Sequence, residues 1–349
     1  MEFPLYMDAN PMERASDLLD SSLLATVTRS GQPESWHRGM FAVVEGDRVI
    51  RSEGDIQGLI YARSSVKPFQ ALPLLERGIV DRESFSDAEL AVISASHNGT
   101  REHQAVVQAL LERGGFQESD LLCGPHSPFD IESGRELVRA GKKPSRIHNN
   151  CSGKHAGFLW LARELGVPLP DYLDPESASQ LVVRESVCEM AGVALDAVDA
   201  GVDGCGAPTL RLPLVGLARA FSRMTNPDDL SPVRSQACRR MLNAVSHHPV
   251  LLAGRGRFCT ALIESAPGRV YPKNGAEGVY AVGLAGMGIG IAIKILDGEA
   301  RAYPPVVVEI LRGLGLWEEI PASLEDFARV PIRSTRKDLV GHIESAFRW

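Results

Sequence analysis

The chain lacks any apolar run long enough to cross a bilayer. Its longest, Val279 to Ile293, falls short of the ~20 residues a membrane span needs and is broken by four glycines, so it reads as buried strands. There is no basic block or stripe, and a formal net charge of −7 argues against nucleic acid and anionic membranes as partners. Tight paired spacing is missing among the six cysteines, at 123, 151, 188, 205, 238 and 259. Free thiols or metal ligands are therefore expected rather than a disulfide framework. The first residues, Met1 through Arg14, have neither the basic start nor the continuous apolar core of a secretory signal, so the protein is expected to be cytoplasmic. No linker divides the 349 residues, and 44% hydrophobic with 23% charged residues excludes disorder. A single domain over 1–349 is expected.

Residues 25–30 and 37–51 alternate or run apolar with β-branched residues around a turn at Glu45-Gly46-Asp47, the pattern of sheet strands. From residue 63 to about 254 the 3.6 period dominates, with helices predicted at 87–95, 102–113, 133–140, 155–165, 177–191 and 212–221. Strands are predicted again at 258–264, 270–271, 278–284 and 290–296, then a helix opening at Pro304-Pro305. The fold class that follows is α/β: a sheet lobe (about 20–62 plus 255–320) built from both chain ends around a central helical lobe (about 63–254), with a cleft where they meet.

In Arg63-Ser64-Ser65-Val66-Lys67-Pro68-Phe69-Gln70 a hydroxyl, an amine and a helix start coincide. If Ser64 caps a helix to about Gly78, Lys67 lies one turn later with its amine beside the hydroxyl, a nucleophile with its base attached. Pro68 suits the first turn, and Pro73 predicts a kink. The second Ser-x-x-Lys, Ser334 to Lys337, sits among charges with no apolar helix after it and reads as solvated.

Four further stretches carry chemistry-bearing residues. Ser94 to Thr100 reads alone as a helix C-terminus and turn. His148 to Gly157 is dense in donors, acceptors and potential ligands, but its Gly153-Lys154 fails the phosphate-loop spacing. Asp203-Gly204-Cys205-Gly206 is a tight loop presenting an acid and a thiol. Cys151 and Cys205 read most simply as small buried hydrophobes, and their spacing is not a standard zinc signature. The fourth stretch is Lys273-Asn274-Gly275, beside an apolar strand. The order Ser64-x-x-Lys67, Ser96-His97-Asn98, Lys273-Asn274-Gly275 is the three-part signature of serine β-lactamases and penicillin-binding proteins.

With these stretches, and with Cys123-Gly124-Pro125-His126 and Asn274 to Gly278, the sequence resembles the thermolabile-type asparaginase II family, or class 3 L-asparaginases. The resemblance implies a serine β-lactamase/penicillin-binding-protein-like fold, an antiparallel sheet, a homodimer, and hydrolysis of L-asparagine to L-aspartate and ammonia. It implies two Ser-Lys pairs, Ser64 with Lys67 and Ser96 with Lys273. Around them Arg63, His97, Asn98, Asn274 and Gly275 are expected to bind substrate. It implies a metal, zinc, on Cys151, Lys154 and Cys205, and no organic cofactor. A lysine ligand must be neutral, so the metal itself would have to depress the pKa of Lys154. On this reading Lys67 deprotonates Ser64, although Ser96 is an alternative nucleophile. The competing readings are a glutaminase, a penicillin-interacting acylase or β-lactamase, and a non-catalytic metal-binding protein. The residues after about 320 match nothing recognised.

Overall fold

A computed structural model describes residues 20–349. In chain order it contains strands β1 (Ser22–Arg29), β2 (Gln32–Glu45), β3 (Arg48–Glu53) and β4 (Leu59–Tyr61). Next come helices α1 (Lys67–Glu76), α2 (Asp87–Ile93), α3 (Arg101–Arg113), α4 (Ile131–Arg139), α5 (Ser152–Glu164) and α6 (Ala178–Ala191). A short pair, β5 (Ala200–Val202) and β6 (Pro208–Pro213), precedes α7 (Leu214–Thr225), α8 (Pro232–His247) and α9 (Phe258–Ser265). The chain closes with β7 (Val270–Asn274), β8 (Val279–Leu284), β9 (Ile289–Ile295), α10 (Tyr303–Gly313), β10 (Arg329–Arg333) and β11 (Leu339–Ser345). No helix among the described residues is long and apolar enough to cross a membrane.

The main sheet is eight-stranded and antiparallel, in the order β10-β11-β1-β2-β9-β8-β7 with β3 also on β2. Both chain ends build it and the helical segment lies between them, the fold class the alternating and helical stretches predict. Its centre is β2, where Met40 to Val44 are all buried because β9 covers one edge and β3 the other. The glycines in the apolar run have a physical reason. Gly283 and Gly290 face each other across β8 and β9, and α7 lies in the groove they leave. A Cβ on Gly290 would stand only 1.9 Å from the Ala218 carbonyl oxygen.

Several local expectations change. Residues 258–264 form helix α9 rather than a strand: Phe258, Cys259, Leu262 and Ile263 are buried at helical spacing, and a short apolar run cannot reveal its period unaided. The tail beyond 320 is part of the sheet, since β11 pairs with β1 and Phe347 stacks on Phe41 with ring centroids 5.2 Å apart. The second Ser-x-x-Lys is the exposed turn of the β10–β11 hairpin, where Ser334 Oγ bonds Asp338. Pro73 does sit inside α1 and cannot donate to the Phe69 carbonyl; Ser186 Oγ on α6 donates to it instead, at 2.9 Å.

The glycine groove makes a testable claim. Gly290→Ala should lower stability by about 3 kcal/mol through overpacking against α7. Gly134→Ala, in α4 with open space around it, should be neutral or stabilising by about 0.5–1 kcal/mol. Urea unfolding of both variants checks the pair; equal effects would show that the groove is not tightly packed.

Candidate active site

Four segments meet at one end of the sheet. The turn Arg63–Val66 packs on β7 and β8, the C-terminal end of α2 brings Ser94 to Asn98, the start of α5 brings Cys151 to Lys154, and β7 contributes Lys273. The close approach of α5 to α2 requires Gly153, whose Cβ would lie 2.2 Å from the Val92 carbonyl oxygen.

Ser64 is not a helix cap. It lies in a 3-10 turn, Val66 is the N-cap of α1 with no side-chain cap bond, and Lys67 is the first residue of that helix. Two short residues between Arg63 and Val66 tighten the backbone into i→i+3 geometry, so Lys67 leaves the helix start toward the interior. Its Nζ donates to the Ala95 carbonyl at 2.5 Å and lies 3.2 Å from both Ser96 Oγ and Cys151 Sγ. The Ser64 hydroxyl is half-buried and has no hydrogen bond among the described residues. Arg63, just before it, holds a left-handed φ of 52° and forks onto Asp203 at 2.7 and 2.8 Å.

Ser96 is the convergence point. Its Oγ, 4% exposed as a residue, lies 2.8 Å from Lys273 Nζ as well as 3.2 Å from Lys67 Nζ. Burial, then the positive charge of Lys67, pushes the Lys273 amine down to about 7. Near neutral pH it can therefore accept a proton. Lys273 also touches the Asn274 carbonyl at 3.0 Å and Asn274 Oδ1 at 3.4 Å. Gly275 N–H donates to the Val279 carbonyl, and a Cβ on this glycine would lie 2.9 Å from the Ala62 carbonyl oxygen.

His97 and Asn98 follow Ser96 and differ. His97 is fully buried; Gly99 N–H donates to its Nδ1 at 3.1 Å, so the ring proton is on Nε2, 2.9 Å from Ser152 Oγ. Burial holds this imidazole neutral, well below its ordinary pKa. Nε2 joins the Ser96 segment to α5, and Nδ1 fixes the turn at Gly99 within that segment. Asn98 is also buried, but its Oδ1 has no partner among the described residues.

The third group is Cys151, Lys154 and Cys205. The Cys205 thiol donates to Cys151, which with the Lys67 charge draws the Cys151 thiol well below its ordinary range, while Cys205 itself is pushed up. Lys154 Nζ lies 3.1 Å from Cys205 Sγ. Burial opposes its charge, yet the two sulfurs and Asp203 outweigh burial and raise its pKa. Among the described residues no group of three or more His, Cys, Asp or Glu side chains could hold a metal. The expected zinc ligands do converge, as two sulfurs and an amine, but Lys154 stands protonated and would have to lose that proton to coordinate.

The profile of the L-asparaginase II family matches residues 25–345. The chain belongs to that family. It is a hydrolase on that ground, as the sequence resemblance implies. No curated protein matches the chain. Solved structures to which it is similar include a β-lactamase from Mycobacterium bovis (14% identity, 79% of this chain and 94% of that one, TM-score 0.38). Others are a class C β-lactamase in complex with cefoxitin (14%, 83% and 91%, 0.37) and a hydrolase with promiscuous acyltransferase activity (13%, 84% and 94%, 0.36). Likenesses this distant carry no weight for function.

The buried Lys273 predicts a linked pair of observations. Its folded pKa of about 7 lies below the unfolded value, so the unfolded chain binds more protons from about pH 7 to about 10 and stability from this group rises across that window. Lys273→Met should therefore abolish turnover yet raise the melting temperature, most at or below pH 7 and progressively less toward pH 10. A uniform loss of stability at every pH would show that the lysine is not buried at a desolvation cost.

Proposed function

We propose that the chain hydrolyses the side-chain amide of L-asparagine to L-aspartate and ammonia through a seryl ester. The observation that carries this reading is the line Lys67 Nζ, Ser96 Oγ, Lys273 Nζ, joined at 3.2 and 2.8 Å and ending in an amine shifted to about 7. Membership of the L-asparaginase II family supplies the substrate class.

Ser64 is the nucleophile in this proposal because its hydroxyl is the accessible, uncommitted one, whereas that of Ser96 is enclosed between two amines. Ser64 Oγ bonds to the amide carbon as its proton passes through Lys67 into the chain. The oxyanion accepts from N–H groups at the start of the Arg63–Val66 turn, which have no intrahelical acceptor. The C–N bond then breaks, and the nitrogen leaves as ammonia with a proton returned by Lys67. Lys273, through Ser96, takes a proton from the water that cleaves the ester, and Ser64 recovers its own. Asn98 and Asn274 offer amide groups to the substrate, Gly275 lets it approach the strand, and His97 positions Ser96. Arg63, held by Asp203, sets the direction of Ser64.

Cys151, Lys154 and Cys205 would hold a zinc ion beside this chain, where it supplies fixed positive charge for orienting substrate. No step runs through it. Elemental analysis of the purified protein should find about one equivalent of metal, lost in a folded Cys205→Ser variant; metal-free wild-type protein would remove the ligand assignment and leave the serine chemistry standing. A cytoplasmic homodimer remains the expected form of the enzyme.

Ammonia release from L-asparagine, L-glutamine and a β-lactam tests the main claim. Asparagine should be preferred, and glutamine, longer by one methylene, disfavoured by roughly 10- to 200-fold. Activity should rise through about pH 7 as Lys273 loses its proton. Ser64→Ala and Lys67→Arg should each lose roughly 1,000-fold or more, since a guanidinium cannot give up its proton in this range. Mass spectrometry of the wild-type enzyme quenched during turnover should find the ester on Ser64. Finding it on Ser96 would exchange the roles of the two serines, and rapid β-lactam turnover without ammonia release would replace the substrate class.

A further inference from the structure

A nucleophile, a proton relay and amide groups for the scissile end leave one requirement open: an α-amino acid also carries a carboxylate, and a buried carboxylate needs a cation or several N–H donors. The cations around the site are nearly all committed. Arg63 is forked onto Asp203, Lys154 lies against Cys205, and Lys67 and Lys273 bracket Ser96. Arg255 is exposed and faces Glu102 at 3.5 Å. Arg257 is different. It is partly buried, its side chain makes neither an ion pair nor a hydrogen bond among the described residues, and the Phe129 ring lies 6.0 Å from its guanidinium carbon.

Its loop is fastened to the catalytic segment. Ser96 N–H donates to the Leu252 carbonyl at 3.1 Å, and Gly254 packs so closely on Asn98 that a Cβ there would lie 2.2 Å from Nδ2. Thr260 Oγ1, one turn into α9, donates to the Gly254 carbonyl at 2.7 Å and fixes the loop from the other side. Arg257 is thus held on a loop bonded to the Ser96–Asn98 segment. Its positive charge is felt at Lys273, Tyr280 and Tyr303. The local carboxylates cannot neutralise it: Glu102 is turned to Arg255, and Asp130 caps α4 through Ser133 N–H at 2.8 Å.

We propose that Arg257 receives the α-carboxylate of the amino-acid substrate, and so selects free amino acids over peptide-like amides. This rests on the amidohydrolase reading above. A guanidinium presents two parallel N–H groups matched to a carboxylate, and one kept unpaired in the resting protein has no internal partner to give up on binding. Phe129 beneath it restrains the side chain without consuming its donors.

The test compares wild type, Arg257→Gln and Arg257→Lys on L-asparagine and on L-aspartic acid diamide, which has the same scissile amide but no α-carboxylate. Arg257→Gln should lose about 100-fold in kcat/KM on asparagine, the size of one charge-assisted hydrogen bond, and nothing on the diamide. Arg257→Lys should recover part of the loss. Equal losses on both substrates, or none on asparagine, would overturn the assignment. Calorimetric binding of L-aspartate and of its α-amide is independent of turnover. Tighter binding of aspartate by wild type, abolished in Arg257→Gln, supports Arg257 even if asparagine is not hydrolysed, in which case only the amidohydrolase reading falls. No preference for aspartate over its α-amide in the wild type overturns the carboxylate role.

Discussion

Two amines sharing one buried hydroxyl cannot both carry charge cheaply. Lys67 and Lys273 both approach Ser96 while buried, and burial together with the charge of Lys67 lowers the Lys273 pKa. Their surroundings differ. Lys67 has the Ala95 carbonyl and the Cys151 sulfur to stabilise its charge, whereas Lys273 has only the carbonyl oxygens of Asn274 besides Ser96. The amine without a counter-charge therefore yields its proton. A base is made by placement alone, with no carboxylate or imidazole taking part.

That asymmetry ties the sulfur group to the serine group. Cys151 faces Lys67 on one side and Cys205 on the other, Lys154 faces Cys205 and feels Asp203, and Asp203 holds Arg63, the residue before Ser64. The path joins charged groups through the neutral Cys205 thiol and returns to the segment it left. A change in any member redistributes the field at Ser96. The thiols are thus part of the electrostatics around Lys67 and Ser96, and a reading of them as inert buried hydrophobes misses this.

Much of the arrangement is legible in the residues themselves. The sheet from both chain ends follows from β-branched alternation at 25–51 and from the apolar run after 278, and the meeting of Ser96 with Lys273 is what the family resemblance implies. The geometry of Ser64 is not legible there. Capping and 3-10 readings of Arg63 to Val66 use the same residues, and tertiary packing on β7 and β8 decides between them. The strand expected at 258–264 fails because a helix of eight residues with five of them buried is too short to show its period. The tail after 320 is opaque because its strands, β10 and β11, are half-exposed and carry no motif. Arg257 has no sequence signal at all: an arginine in a glycine-rich loop looks solvated until its neighbours are seen to be occupied.

The left-handed backbone at Arg63 bears directly on Ser64. A non-glycine residue at φ near +52° is strained by an order of 1–3 kcal/mol and persists only where its surroundings over-determine it. Here they do so from both ends: the guanidinium is clamped by Asp203 and Ser65 Oγ donates to the Ala62 carbonyl at 2.6 Å. In this strained turn the Ser64 hydroxyl makes none of the local hydrogen bonds that serine otherwise prefers at a helix start, and in the proposed reaction that oxygen is the one that attacks.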